Sequence, residues 1–299
     1  MVSKELVAKC ATEFIGTFFL CFTIAAAAGQ GAELAPVAIG FTLTCMVYAG
    51  GHVSGAHYNP AVTLAIALRG KAGGAVDVIG YLLAEFGGGA LGGGVASALL
   101  NGGIGYAALG EGVSAGRAAV AEIVITMALT NTVLNVATSA KSAGNDFFGL
   151  AIGCTVLSGA ISVGGISGGA FNPAVAMLGV DASAFTANLW VPFTMPLVGG
   201  VLGWALFRLT ADDELSETPR VPEMVRMVAT EFWGTFMLCF TVACTAGPGN
   251  GSSLAALSIG LMLMAQVYTG GATSGANYNP AVTIALLVRH QTAGAGPAC

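Results

Sequence analysis

Charged residues are scarce in this chain. Asp, Glu, Lys and Arg make up 8% of its 299 residues, against about a quarter in a soluble domain, which excludes an ordinary soluble fold. The net charge is −5 and no basic run stands out, so nothing points to nucleic-acid binding. With three His and no nucleophile–base arrangement or phosphate loop, enzyme chemistry finds no support. Seven Cys are present, but none forms a CxxC pair with metal-ligand spacing. They read as small apolar fillers, and neither a metal nor a cofactor is expected. A cleavable leader is also missing: Lys4, Glu5 and Lys9 precede an apolar run too long for a signal peptide, so the first span should be retained.

Hydrophobic residues fill 55% of the chain, and the mean hydropathy is +0.81. These values describe an all-α integral membrane protein of the multi-pass kind, with the lipid bilayer as its first partner. Apolar stretches of spanning length run at about 10–29, 34–51, 75–100, 117–138, 147–165, 187–209, 224–247 and 253–271. Glycine is frequent, at 45 residues, and sits inside these stretches, as in Gly87-Gly88-Gly89-Ala90-Leu91-Gly92-Gly93-Gly94. There it lets helix backbones approach closely. A polar segment with two prolines, residues 211–223, marks the clearest boundary; it divides a unit at 1–210 from a partial unit at 224–299. With the N-terminus inside, Lys4, Lys9, Arg69, Lys71, Lys141, Arg208, Arg220, Arg226 and Arg289 are cytoplasmic and only Arg117 is outside, as the positive-inside bias requires.

One decapeptide recurs three times: SGAHYNPAVT at 54–63, SGGAFNPAVA at 167–176 and SGANYNPAVT at 274–283. Pro at the first helical position gives up an N–H that has no partner there, and the preceding Asn is a strong N-cap. Each copy is therefore expected to start a short helix, such as 61–68, too brief to cross a bilayer alone. Upstream of each stands an ExxxT start: Glu13 to Thr17, Glu122 to Thr126 and Glu231 to Thr235. The first two units are separated by three spans, so they enter the membrane in opposite directions, as inverted repeats do. The third copies the first, since ATEFIGTFFLCFT at 11–23 returns as ATEFWGTFMLCFT at 229–241.

The Asn-Pro-Ala boxes, the ExxxT starts and the span order resemble those of the aquaporins, or major intrinsic proteins. The resemblance covers 9–209 as a full unit and 224–290 as an additional first half. It implies an inverted repeat of six transmembrane helices and two half-helices around one pore, plus two extra spans and a third half-helix. By the same resemblance Asn59, Pro60, Ala61, Asn172, Pro173 and Ala174 form the pore boxes. Asn59 and Asn172 then offer amide donors to a file of water. The box at Asn279, Pro280 and Ala281 is expected outside that pore, because it enters from the same side as the first. Glu13 and Glu122 are buried acids, which are costly in a membrane unless satisfied; the resemblance has each accept backbone N–H groups of the adjacent pore loop. Glu85 stands where the family usually has Gln, as a neutral or paired acid. His57 lines the cytoplasmic mouth or hydrogen-bonds within its loop. A homotetramer is also implied.

The departures from the family bear on the substrate. Its water-selective members narrow the outer pore with an aromatic, a His, a loop residue and an Arg after the second box. The corresponding positions here are Ile39, Ala160, Gly169 and Val175. Val after the second box is shared with many tonoplast intrinsic proteins, although those usually keep a His where this chain has Ile39. Losing the bulky and polar groups widens the constriction, and losing the Arg removes a fixed charge that excludes cations. The function expected is a passive channel for water and small neutral solutes, with ammonia, urea, glycerol and hydrogen peroxide as candidates. The alternative is a non-conducting, membrane-organising or regulatory protein of the same fold. Plasma and vacuolar membranes are not distinguished by these residues.

Overall fold

The computed structural model describes residues 3–181, 188–211, 221–247 and 251–293. Most of the 211–223 linker therefore lies outside the described residues. Among the described residues eight helices are long and apolar enough to span a membrane: α1 (Lys4–Gly29), α2 (Ala35–Ser54), α4 (Ala75–Leu99), α5 (Ala115–Thr138), α6 (Phe148–Ser167), α8 (Trp190–Thr210), α9 (Glu223–Ala246) and α10 (Ala255–Ser274). Three short helices follow the boxes: α3 (Pro60–Leu68), α7 (Met177–Asp181) and α11 (Pro280–Ala293). The expected all-α membrane architecture is present.

Local sequence explains the ends of these elements. The Ser3 hydroxyl accepts from Leu6 N–H at 3.0 Å and so caps α1. α2, α6 and α10 each stop at a left-handed glycine, Gly55, Gly168 and Gly275, the residue that enters this region without a Cβ penalty. Within spans, hydroxyls are satisfied by the preceding turn, as Thr17 does with the Glu13 carbonyl at 2.8 Å and Thr155 with Ala151 at 2.9 Å. A hydroxyl treated in this way can stay in an apolar setting.

α1 packs on α4, α5 packs on α8 and α2 packs on α6. The half-helices are exchanged between the repeats: α3 of the first leans on α8 of the second, and α7 leans on α4. Glycine makes the exchange close enough. A Cβ on Gly200 would stand 2.7 Å from the Ala61 carbonyl, and one on Gly89 would stand 2.7 Å from that of Ala174. α9 and α10 lie on the flank of this bundle, against α5, α6 and α8.

One expectation needs correcting. The second box does not open directly into an α-helix. Val175, Ala176 and Met177 N–H groups bond to the carbonyls of Asn172, Pro173 and Ala174, a tighter i→i+3 pattern, and α-helix begins only at Met177. Such 3₁₀ turns are frequent at helix N-termini. Here Gly89 packs directly against Ala174.

Candidate functional site: the cavity between the boxes

Each pore loop is built around one carboxylate. Glu13 accepts from the Ser54 hydroxyl at 2.6 Å, His57 N–H at 3.0 Å and Tyr58 N–H at 2.6 Å. Glu122 repeats the pattern with Ser167 at 2.6 Å, Ala170 N–H at 3.0 Å and Phe171 N–H at 2.7 Å. Both acids are fully buried. The two carboxylates satisfy backbone donors that have left a helix within the bilayer, where an unpaired N–H costs several kcal/mol.

These bonds hold Tyr58 and Phe171 at φ 51° and 50°, a region that bulky side chains rarely adopt. The turn swings each following Asn to the centre. The Asn59 amide nitrogen donates to the Phe171 carbonyl at 2.9 Å, and the Asn172 amide nitrogen donates to the Tyr58 carbonyl at 2.8 Å. Their side-chain oxygens cap the first helical N–H groups, Ala61 at 2.9 Å and Ala174 at 2.9 Å. Each Asn thus binds its own half-helix with one end and the opposite loop with the other. An amide NH₂ has two hydrogens, and one on each Asn remains for a passing acceptor.

A cavity of about 260 Å³ runs past both asparagines. Ile39, Ala160, Gly169 and Val175 all line it, as do His57, Leu43, Val156 and Tyr106. The wall is mostly apolar, with polar atoms concentrated at the loops. Val175 is only 2% exposed and presents no charge. Asn279, Pro280 and Ala281 are not among the lining residues.

His57 and Glu85 belong to one further cluster. The Thr63 hydroxyl donates to Glu85 Oε1 at 2.6 Å, and that oxygen also accepts Asn59 N–H at 3.2 Å. His57 Nδ1 lies 2.9 Å from the same hydroxyl. Because the Thr63 proton goes to Glu85, His57 Nδ1–H is the donor in this pair. The His57 ring also meets Tyr81 edge-on, with centroids 5.0 Å apart. Glu85 therefore holds the first box from the α4 side, a pairing that the sequence left undecided.

Tyr58 and Phe171 are the residues that sequence reasoning passed over. Their carbonyls receive the crossing amides, and the signal for them was present: an aromatic precedes Asn in all three boxes, as Tyr58, Phe171 and Tyr278.

The chain matches the major intrinsic protein family over residues 1–207 and 218–294. The chain belongs to the major intrinsic protein family. Among similar members, aquaporin NIP1-1 of Zea mays is 35% identical over 225 residues, covering 70% of this chain and 78% of that protein. Aquaporin Z of Photorhabdus laumondii is 34% identical over 226 residues, covering 67% of this chain and 96% of that protein. The aquaglyceroporin of Plasmodium falciparum shares the fold, with a TM-score of 0.61 at 22% identity over 68% of this chain and 95% of that one. As a major intrinsic protein with eight apolar helices, the chain is an integral, multi-pass membrane protein.

Proposed function

We propose that residues 9–209 form a passive channel for water and small neutral solutes. The observation that carries this reading is the pair of cross-bonded asparagines on the wall of a mostly apolar cavity. An apolar wall does not hold water, so a permeant molecule exchanges its hydrogen bonds at a few fixed points. Asn59 and Asn172 supply donors there, and these orient the oxygen of a passing molecule. The N-terminus of α3 adds the positive end of a helix dipole at the same level. A cation meets the same donors without a compensating anion, and so is disfavoured.

Ile39, Ala160, Gly169 and Val175 set the size and polarity of the outer part in this reading. None of them carries a ring or a charge. The pathway then passes small neutral solutes besides water, with ammonia, urea, glycerol and hydrogen peroxide as the candidates. The box at Asn279 takes no part, since it lies outside the cavity lining.

The test is to rebuild the missing groups. In proteoliposomes, the double variant Ala160→His and Val175→Arg should lower urea or glycerol flux several-fold while water flux falls less. Native protein that passes water but no small neutral solute would overturn the assignment of the constriction.

A further inference from the structure

Trp233 and Gln266 bring polar atoms to a level where the first repeat has none. Their counterparts are Ile15 on α1 and Met46 on α2. Trp233 is the eleventh residue of the 24-residue α9, and Gln266 is the twelfth of the 20-residue α10. Both lie near mid-span, away from the interfacial belt where an indole ordinarily meets water. Trp233 is 8% exposed and Gln266 is 1% exposed. Among the described residues neither the Trp233 indole N–H nor Gln266 Oε1 has a hydrogen-bond partner. An unpaired buried donor and an unpaired buried acceptor are both costly.

The rest of Gln266 is already engaged. Its Nε2 donates to Met262 Sδ at 3.7 Å, and a thioether sulfur can only accept, so Oε1 is the end left over. Its backbone carbonyl takes the Tyr278 hydroxyl at 2.9 Å. Trp233 and Gln266 line one small cavity in the seam where α9 and α10 meet α5 and α8. Its volume of about 10 Å³ is about the room that one water takes. The remaining wall is largely polar, with Asn131 and Asn135 from α5, Thr210 from α8 and Thr230 from α9. Thr210 and Thr230 give their hydroxyl protons to the Leu206 and Arg226 carbonyls, at 3.0 and 2.9 Å. Toward the cavity these hydroxyls can therefore only accept.

We propose that this cavity binds one water molecule as a hydrogen-bonded joint between the third repeat and the first unit. The water accepts from the Trp233 indole N–H and donates to Gln266 Oε1. Its second proton goes to an oxygen of the asparagine and threonine wall. A cation suits the site poorly, because the indole N–H presents positive charge and no carboxylate lines the cavity. An apolar guest would leave both groups unpaired. The site is separate from the cavity past Asn59 and Asn172, since the two share no lining residue.

Magnetic resonance can find a water held in this way. The full chain is prepared with tryptophan labelled at the indole nitrogen, in a deuterated background, and placed in lipid nanodiscs. Trp190, Trp204 and Trp233 each give an indole signal, and Trp233→Phe identifies the third. A rotating-frame Overhauser experiment then reads transfer from water protons to the Trp233 N–H. Dipolar transfer from a held water and proton exchange with bulk water have opposite signs. Native protein should show dipolar transfer. Gln266→Met, which restores the residue of the first repeat, should keep the indole signal but lower the transfer several-fold. Native protein without transfer would overturn the proposal, as a direct bond from Trp233 to Gln266 would produce. Transfer with the sign of exchange, or transfer unchanged in Gln266→Met, would overturn it as well. The native measurement decides by itself if the variant does not fold.

Discussion

Residues 11–23 of α1 and 229–241 of α9 differ at two positions, and those two separate a lipid-facing helix from a docked one. Ile15 and Phe19 are 52% and 44% exposed, whereas their counterparts Trp233 and Met237 are buried. α2 and α10 differ in the same way. The exposed Ala38 and Ala49 become the buried Ser258 and Thr269, and Met46 becomes the buried Gln266. Ser258 exchanges hydrogen bonds with Ser158 at 2.9 Å and Ser162 at 3.1 Å, and Thr269 donates to Thr132 at 3.0 Å. Tyr268 stacks on Phe147 at 4.2 Å. In a bilayer an apolar surface by itself does not favour protein over lipid, so packing shape and hydrogen bonds must select the partner. The third repeat has changed its outer face in that way while keeping the inner face of a channel half.

The largest contrast should come from the boxes. Replacing Asn172 with Leu removes a cavity donor and the brace to Tyr58. Stopped-flow water flux in proteoliposomes should drop about tenfold, the equivalent of about 1.4 kcal/mol on the barrier. The matching Asn279→Leu should leave flux near the native value. Equal losses from the two variants would place the third box in the conducting path and break the comparison.

A smaller difference should separate the loop carboxylates. Glu13→Ala strands two buried N–H groups and a hydroxyl, at about 1–3 kcal/mol for each unsatisfied group. Glu231→Ala strands the same set in a half-exposed loop, where the loss is less. Thermal unfolding in detergent, followed by circular dichroism, should therefore show a larger drop in midpoint for Glu13→Ala. If both variants fall alike, the two loops are equally enclosed in the folded protein.

The smallest effect concerns the seam on α10. Thr269→Val removes one interhelical bond, and such bonds average about 0.6 kcal/mol in a membrane protein. Combined with Ser258→Ala, it should lower the unfolding midpoint slightly and leave water flux unchanged. A marked change in flux would show that the flanking repeat controls the pathway through α5 and α6.

The sequence by itself determined the spans, because a bilayer demands runs of about 20 apolar residues, and all eight runs overlap helices of that kind. It also determined the helix starts at Pro60 and Pro280, since Asn followed by Pro is a local signal that requires no distant partner. The left-handed glycines after α2, α6 and α10 belong to the same local class. Tertiary structure alone decided which groups meet. The Tyr58 carbonyl and the Asn172 amide lie 114 positions apart and are joined only because two loops enter from opposite repeats. The pairing of Glu85 with Thr63 and Asn59 likewise depends on how α4 passes the first box. The 3₁₀ opening of the second half-helix is not written in its box either, since the first box has the same Asn-Pro-Ala-Val and starts α-helix at once. Nor does the near-identity of 11–23 and 229–241 reveal that Cys21 is buried and Cys239 exposed among the described residues, because burial belongs to the surroundings and not to the segment.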